Sequence, residues 1–306
     1  MRKLFWTLIA ILVPVAAFAA ADPAIDPALD WAFAQKGNDT VTKPANALPD
    51  KPVNQGLVDA SYTGLPRMPD AVAKGNPLPC TQCHLANGNS RPETGDISGL
   101  SVNYIIEQVH AYRDGDRADR RTGRMVAVAK GISEKDLKDA AEYYAAIGPD
   151  RQKWETAVVA AEAPDGYGPP GFARLHVSGG ATVPIPQGRI FQMPVDDDEN
   201  RVRDQNLAGY LVYVRADDMA LGEQLATTGG NGETQACAAC HGADLKGAGD
   251  VPRLAGRQPY YLIRTLKDMQ TGERKDKNVA LMKAVVAKMS DRDIVAVSAY
   301  LASKSP

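Results

Sequence analysis

The pentapeptide C-x-x-C-H occurs twice, as CTQCH at residues 80–84 and CAACH at residues 237–241, and it uses every cysteine in the chain: Cys80, Cys83, Cys237 and Cys240. This pattern is the attachment signal for c-type haem. Two thiols on one helical turn can each add to a haem vinyl group, and the following histidine then lies under the iron as an axial ligand. The sequence therefore predicts two covalently bound haem c groups. Cys80 and Cys83 would attach the first, Cys237 and Cys240 the second, with His84 and His241 as iron ligands. Four cysteines could instead form two disulfides, one four-thiolate zinc site or a dithiol redox pair. None of these calls for a histidine after the second cysteine, and two of only four histidines stand there.

The motifs sit inside a longer repeat. Adding 157 to a residue number in the first copy reaches its partner in the second without a gap: Gly99 meets Gly256, Tyr104 meets Tyr261, Gly115 meets Gly272, Arg117 meets Arg274, Ser133 meets Ser290 and Tyr143 meets Tyr300. Two domains of one fold follow, at 66–150 and 217–306. Each reads as helical. Leu262, Ile263, Leu266 and Met269 fall at helical spacing behind Pro259, matched by Ile105, Ile106, Val109 and Tyr112. The glycines Gly115 and Gly272 suit that helix's end. Ser133 and Ser290 begin a last helix, each with an aspartate three residues on. A domain of this size has a modest core of its own, and a buried haem completes it.

An iron held by one histidine needs a second ligand or stays open. Met125 lies 41 residues after His84, and Met282 lies 41 residues after His241. They are the methionine pair that serves both copies, so they are the candidate second ligands; the alternative is that both fill gaps in the core. His110 has Lys267 as its repeat partner and reads as a solvated or hydrogen-bonded histidine. His176, between the repeats, is not expected to reach iron.

Residues 1–21 read as a secretory signal peptide, with Arg2 and Lys3, an apolar run from Leu4 to Val15 and the A-x-A site Ala17-Phe18-Ala19. The apolar run is short for a membrane span, although an uncleaved leader would anchor the chain. Export, to the periplasm, suits haem attachment. With 35 basic and 37 acidic residues there is no positive field to attract nucleic acid. Residues 22–65, rich in Pro, Ala and Asp, predict an extended arm. Residues 151–216 form a connecting segment that is partly β or irregular: Val183 to Pro194 alternates polar and apolar residues, Gly209 to Val214 is β-prone, and Asp196 to Glu199 reads as a solvated acidic face. The fold class is mainly α.

On these residues the chain resembles the class I cytochromes c, specifically the tandem-domain dihaem cytochromes c of bacteria. The likeness covers both repeats, roughly 175 residues, and is most specific in CTQCH, CAACH, RLAG at 253–256, YYLIRTLKDMQTGER at 260–274 and SDRDIVAVSAYLAS at 290–303. It implies a small helical bundle around each haem, His84 with Met125 on one iron, His241 with Met282 on the other, and electron transfer in the periplasm. Two departures stand out. Pro252 occupies the place of a proline that supports the proximal histidine, but Gly95 holds it in the first domain, which predicts a freer loop around His84. The helix ahead of the motif is expected near Met219–Thr228, while its counterpart near 62–71 contains Pro66 and Pro69 and should be short or missing.

The function read from these features is an electron carrier between a redox donor and an acceptor, such as a dehydrogenase or a terminal oxidase, without catalytic residues of its own. Two rivals remain. One is a dihaem peroxidase or oxidoreductase, which needs an open iron position. The other is a cytochrome subunit held on a periplasmic dehydrogenase.

Overall fold

The computed structural model describes residues 66–75, 77–119, 122–148, 155–167, 175–177, 179–197 and 209–306; the leader and the arm lie outside them. The first stretch is helical: α1 (Asp70–Lys74), α2 (Thr81–His84), α3 (Val102–Asp114), α4 (Arg124–Gly131) and α5 (Glu134–Ala146). Seven short strands follow, β1 (Glu155–Val159), β2 (Glu162–Pro164), β3 (Gly166–Tyr167), β4 (Leu175–His176), β5 (Thr182–Pro184), β6 (Phe191–Pro194) and β7 (Tyr210–Val214). Helices resume with α6 (Ala216–Gly232), α7 (Ala238–His241), α8 (Pro259–Thr271), α9 (Val279–Val286) and α10 (Asp291–Ser303).

The sequence repeat is a structural repeat. Helices α2, α3 and α5 return as α7, α8 and α10, shifted by the same 157 residues and equal in length. Local chemistry sets their ends. Ser101 and Ser133 accept the backbone N–H of Tyr104 and Asp136, and Ser290 forms a reciprocal capping box with Asp293. Each cap satisfies an amide donor that the first turn leaves unpaired. Helices α3 and α8 stop at Gly115 and Gly272, left-handed at φ 80° and 81°. The departure between the copies lies ahead of the motifs, where the 5-residue α1 faces the 17-residue α6. Pro66 and Pro69 exclude the longer helix from the first domain.

In each domain the last helix closes over the chain behind the haem motif. Gly99 N–H donates to the Tyr144 carbonyl at 3.0 Å, and Gly256 N–H to the Leu301 carbonyl at 2.9 Å, at equivalent places in the repeat. Tyr144 and Tyr143 also donate to the carbonyls of Leu85 and Ala86, 3.0 and 2.8 Å away. In the second domain α6 lies so close to α10 that a Cβ on Gly222 would fall 2.1 Å from the Ala296 carbonyl oxygen.

The connecting segment is built onto the second domain. Strands β1, β7 and β6 form a sheet in that order, β1 parallel and β6 antiparallel to β7. Val212, Val214 and Ile190 share one apolar core with Leu225, Ile263, Ile294 and Leu301. Buried Asp218, near the start of α6, accepts from Gly188 N–H at 2.8 Å and from Arg292 Nε at 2.7 Å, fastening the β5–β6 turn to α10. Among the described residues no helix is long and apolar enough to cross a membrane.

The two helical domains meet through α3, the residues beside it and the segments that flank α8. Gln108 Oε1 accepts from both Arg117 and Arg274, which are repeat partners, at 2.8 and 2.7 Å. Lys275 N–H donates to the Asp116 carbonyl, and Ser101 and Asn103 donate to Asp250. At the centre Asp96 bonds Arg253 and, at 2.9 Å, Arg257. Asp96 and Arg253 hold the same position in the two copies and meet across the boundary.

Candidate functional site: two haem-attachment motifs

Each motif folds as one helical turn. His84 N–H donates to the Cys80 carbonyl and His241 N–H to the Cys237 carbonyl, both at 2.9 Å. That turn brings both cysteines and the histidine of each motif together. None of the four thiols is paired with another. Among the described residues no group of three or more His, Cys, Asp or Glu side chains is placed to hold a metal ion between them alone.

The histidine rings are held alike. His84 Nδ1 lies 2.7 Å from the Gly95 carbonyl, and His241 Nδ1 lies 2.8 Å from the Pro252 carbonyl. A carbonyl only accepts, so in each ring the proton sits on Nδ1 and the Nε2 lone pair is free to bind a metal. Burial lowers the pKa of both imidazoles, which favours the neutral, ligating form. Burial also pushes the Cys80 and Cys237 thiols up to about 11. The freer first-domain loop expected from Gly95 is not what the fold contains: a Cβ there would meet the Tyr261 ring at 2.8 Å, so the second domain fills the space beside it.

One cavity of the first domain brings Cys80, Cys83, His84 and Met125 together. Its walls include Leu100, Ile105, Val109, Val128 and Leu137. Asp119 sets the approach of α4 by accepting from Met125 N–H at 3.2 Å and from Thr122. In the second domain Met282 packs against the core alongside Cys237, and Asp276, the repeat partner of Asp119, accepts from Asn278 N–H at 3.2 Å ahead of α9. Leu281, beside Met282, is 82% exposed.

One rim of the first cavity is cationic. Arg117 reaches it from its own domain, and Arg257 and Arg264, with Tyr261, reach it from the other. Arg117 donates to Gln108 and, at 3.0 Å, to the Tyr261 hydroxyl. Burial alone would raise the Tyr261 phenol, but Arg117, Arg257 and Arg274 outweigh it and hold it down to about 6. This buried surplus of positive charge is the electrostatic complement of a dianionic edge. An apolar slot, two thiols, a histidine whose Nε2 lone pair is available, a thioether in the lining and guanidinium groups at the rim match in kind what a haem and its two propionates require.

The remaining histidines are engaged elsewhere. His110 Nε2 lies 3.0 Å from Glu134, and its repeat partner Lys267 donates to Asp291, the partner of Glu134. His176 Nδ1 lies 2.8 Å from Asp197, whose side chain is 9% exposed. The acidic run is thus not wholly a solvated face, because Asp197 turns inward to hold β4. Sequence reasoning assigned no role to Tyr261, Arg117 or Arg257. The recurrence of Tyr104/Tyr261 and Arg117/Arg274 was the available signal.

The cytochrome c family profile matches residues 219–305. Cytochrome c4 of Thiocapsa roseopersicina is 34% identical over 249 residues, covering 79% of this chain and 94% of that protein. A thiosulfate dehydrogenase electron acceptor of Thiomonas intermedia is 24% identical over 238 residues, covering 76% of this chain and 82% of that protein. Among solved structures, the thiosulfate dehydrogenase TsdBA of Marichromatium purpuratum superimposes with a TM-score of 0.51 at 22% identity, over 77% of this chain and 39% of that one. That last likeness is one of fold.

Proposed function

The chain belongs to the cytochrome c4 family of dihaem class I cytochromes c, and from that premise we propose that it carries electrons between periplasmic redox partners through two irons, each held by one histidine and one methionine. Family membership brings two covalently bound haem c groups. When bound, such a group supplies a one-electron ferric/ferrous couple. Cys80 and Cys83 would hold the first and Cys237 and Cys240 the second, with His84 and Met125, and His241 and Met282, as axial ligands. The carbonyls of Gly95 and Pro252 keep each histidine in the tautomer that presents Nε2. Arg117, Arg257 and Arg264, which line the first cavity, would compensate the negative charge of the group's propionates, and the apolar lining would limit the access of water. A soft thioether favours the reduced iron and raises its potential.

The observation that carries this reading is the convergence of Cys80, Cys83, His84 and Met125 on one cavity. Acid–acetone extraction should leave two haems per chain with the polypeptide, and carbon monoxide should leave the spectrum of the reduced protein unchanged. Carbon monoxide binding to the protein as purified would put the peroxidase-like reading ahead. Relatives named as thiosulfate dehydrogenase electron acceptors support a dehydrogenase as the donor. Reduction of this protein by purified thiosulfate dehydrogenase and thiosulfate, at a rate that saturates with cytochrome concentration, tests that partner. Export predicts that the mature N-terminus lies near Ala21.

A further inference from the structure

The two proximal carbonyls are held by different means. In the second domain the carbonyl belongs to Pro252, whose ring fixes its own backbone. In the first it belongs to Gly95, which has no such restraint. The hydrogen bond to His84 is nevertheless as short as that to His241, 2.7 against 2.8 Å. What restrains Gly95 comes from the other domain. An ideal Cβ on Gly95 would lie 2.8 Å from Cε2 and 2.9 Å from Cζ of Tyr261, so the glycine lies directly against that ring. Tyr261 is only 6% exposed and cannot retreat. Its hydroxyl accepts from Arg117, and the Arg257 guanidinium lies 4.8 Å from the ring centre. On the other flank Asp96, the next residue after Gly95, is gripped by Arg253 and Arg257, and Arg257 Nη2 also donates to the Asp96 carbonyl at 2.8 Å.

We propose that Tyr261, braced by Arg117 and Arg257, is a positioning residue for the first domain's iron ligand: it fixes the Gly95 carbonyl and through it the orientation of His84. The second domain thereby supplies what a proline supplies at its own site. Docking of the domains tunes the first haem and leaves the second untouched. This inference rests on the reading of His84 as the first iron's ligand.

The test follows the ring N–H protons of His84 and His241 in the reduced, histidine-labelled holoprotein as they exchange with D2O, alongside a spectroelectrochemical titration. Tyr261→Phe keeps the ring on Gly95 but loses the hydroxyl that accepts from Arg117, so His84 exchange should rise less than in Tyr261→Leu. Tyr261→Leu removes the ring. His84 exchange should then accelerate about tenfold, the factor that an aromatic contact at the upper end of its range corresponds to, with His241 exchange unchanged. The first midpoint potential should rise and the second stay, because a less firmly held Nδ1–H makes the imidazole a weaker donor to ferric iron. Gly95→Ala, whose methyl group displaces the ring from the other side, should give the same pattern and serves if Tyr261→Leu does not fold. His84 exchange and potential unmoved in both variants, or His241 changing equally, would overturn the proposal. If His84 in the unaltered protein lacks the shifts of an iron-bound imidazole, the ligand reading fails and takes this proposal with it. A ligated His84 with unmoved exchange defeats the positioning role alone.

Discussion

Asp96 offers the sharpest test of how the domains are joined. It is 5% exposed and bonds two guanidinium groups that are themselves buried, Arg253 and Arg257. Asp96→Ala leaves two buried cations without their carboxylate. Removing one member of a buried ion pair costs about 3–5 kcal/mol, chiefly through the charge left behind. Alanine keeps the backbone carbonyl to which Arg257 also donates, so the lower end of about 3 kcal/mol is expected. At about 2–4 °C per kcal/mol for a protein of this size, the midpoint of thermal unfolding should fall by roughly 6–12 °C. The helical signal of the holoprotein reports it. Burial opposes ionisation of Asp96, but Arg253 and Arg257 outweigh it and hold its carboxyl below the ordinary range. The sign follows from that depression. The pair's contribution is complete above the unfolded carboxyl value of about 3.9 and is lost as pH falls through the lower folded value. The gap between wild type and Asp96→Ala should therefore be constant from neutral pH down to about 5 and close only below about 4. A loss of under about 1 kcal/mol at neutral pH, or a gap that widens on acidification, would mean that the arginines find other partners and that this contact does not hold the domains.

Three further outcomes are expected. Met125→Ala should open the first iron to carbon monoxide and lower its potential, and Met282→Ala should do the same at the second; unchanged carbon monoxide titrations in both would remove the methionines as ligands. Glu155 is fully buried, and burial raises its carboxyl well above the ordinary range, so stability falls as pH rises above the unfolded value of about 4.3, by up to about 1.4 kcal/mol per pH unit. Glu155→Gln should flatten that slope in denaturant titrations between pH 5 and 7, and a wild-type slope identical to the variant's would refute it. Gly222→Ala places a methyl group against the Ala296 carbonyl and should cost the second domain about 1–3 kcal/mol, checked by the unfolding of α6 and α10; an unchanged midpoint would show that the helices slide apart freely.

Much of the helical fold was legible because its determinants are local. The serine caps, the glycine stops and the apolar spacing of Leu262, Ile263, Leu266 and Met269 act within a few residues, and the repeat stated them twice. Pro66 and Pro69 likewise announced the short α1. Strands β5, β6 and β7 fall in the segments that alternate or are β-prone, but β1 to β4 were not read, nor was the attachment to α10, because Asp218 meets Gly188 and Arg292 only after the chain has turned back on itself. Long-range polar contacts of this kind leave no periodic signature.

The boundary between the domains is the instructive case. Where the two copies meet, position i can come close to position i+157: Arg117 and Arg274 share Gln108 Oε1 between them, and positions 96 and 253 meet with opposite charges. The copies are alike at the first pair. They differ at Gly95-Asp96 against Pro252-Arg253, and Asp96 does pair with Arg253. The substitution of glycine for the supporting proline belongs to the same event. A proline ring at position 95 would occupy the space that Tyr261 now takes, so the first domain gives up intrinsic rigidity there and gains a neighbour's ring against its backbone. A departure from the repeat that looks like a weakness in one domain is, in the assembled chain, the place where the other domain fits.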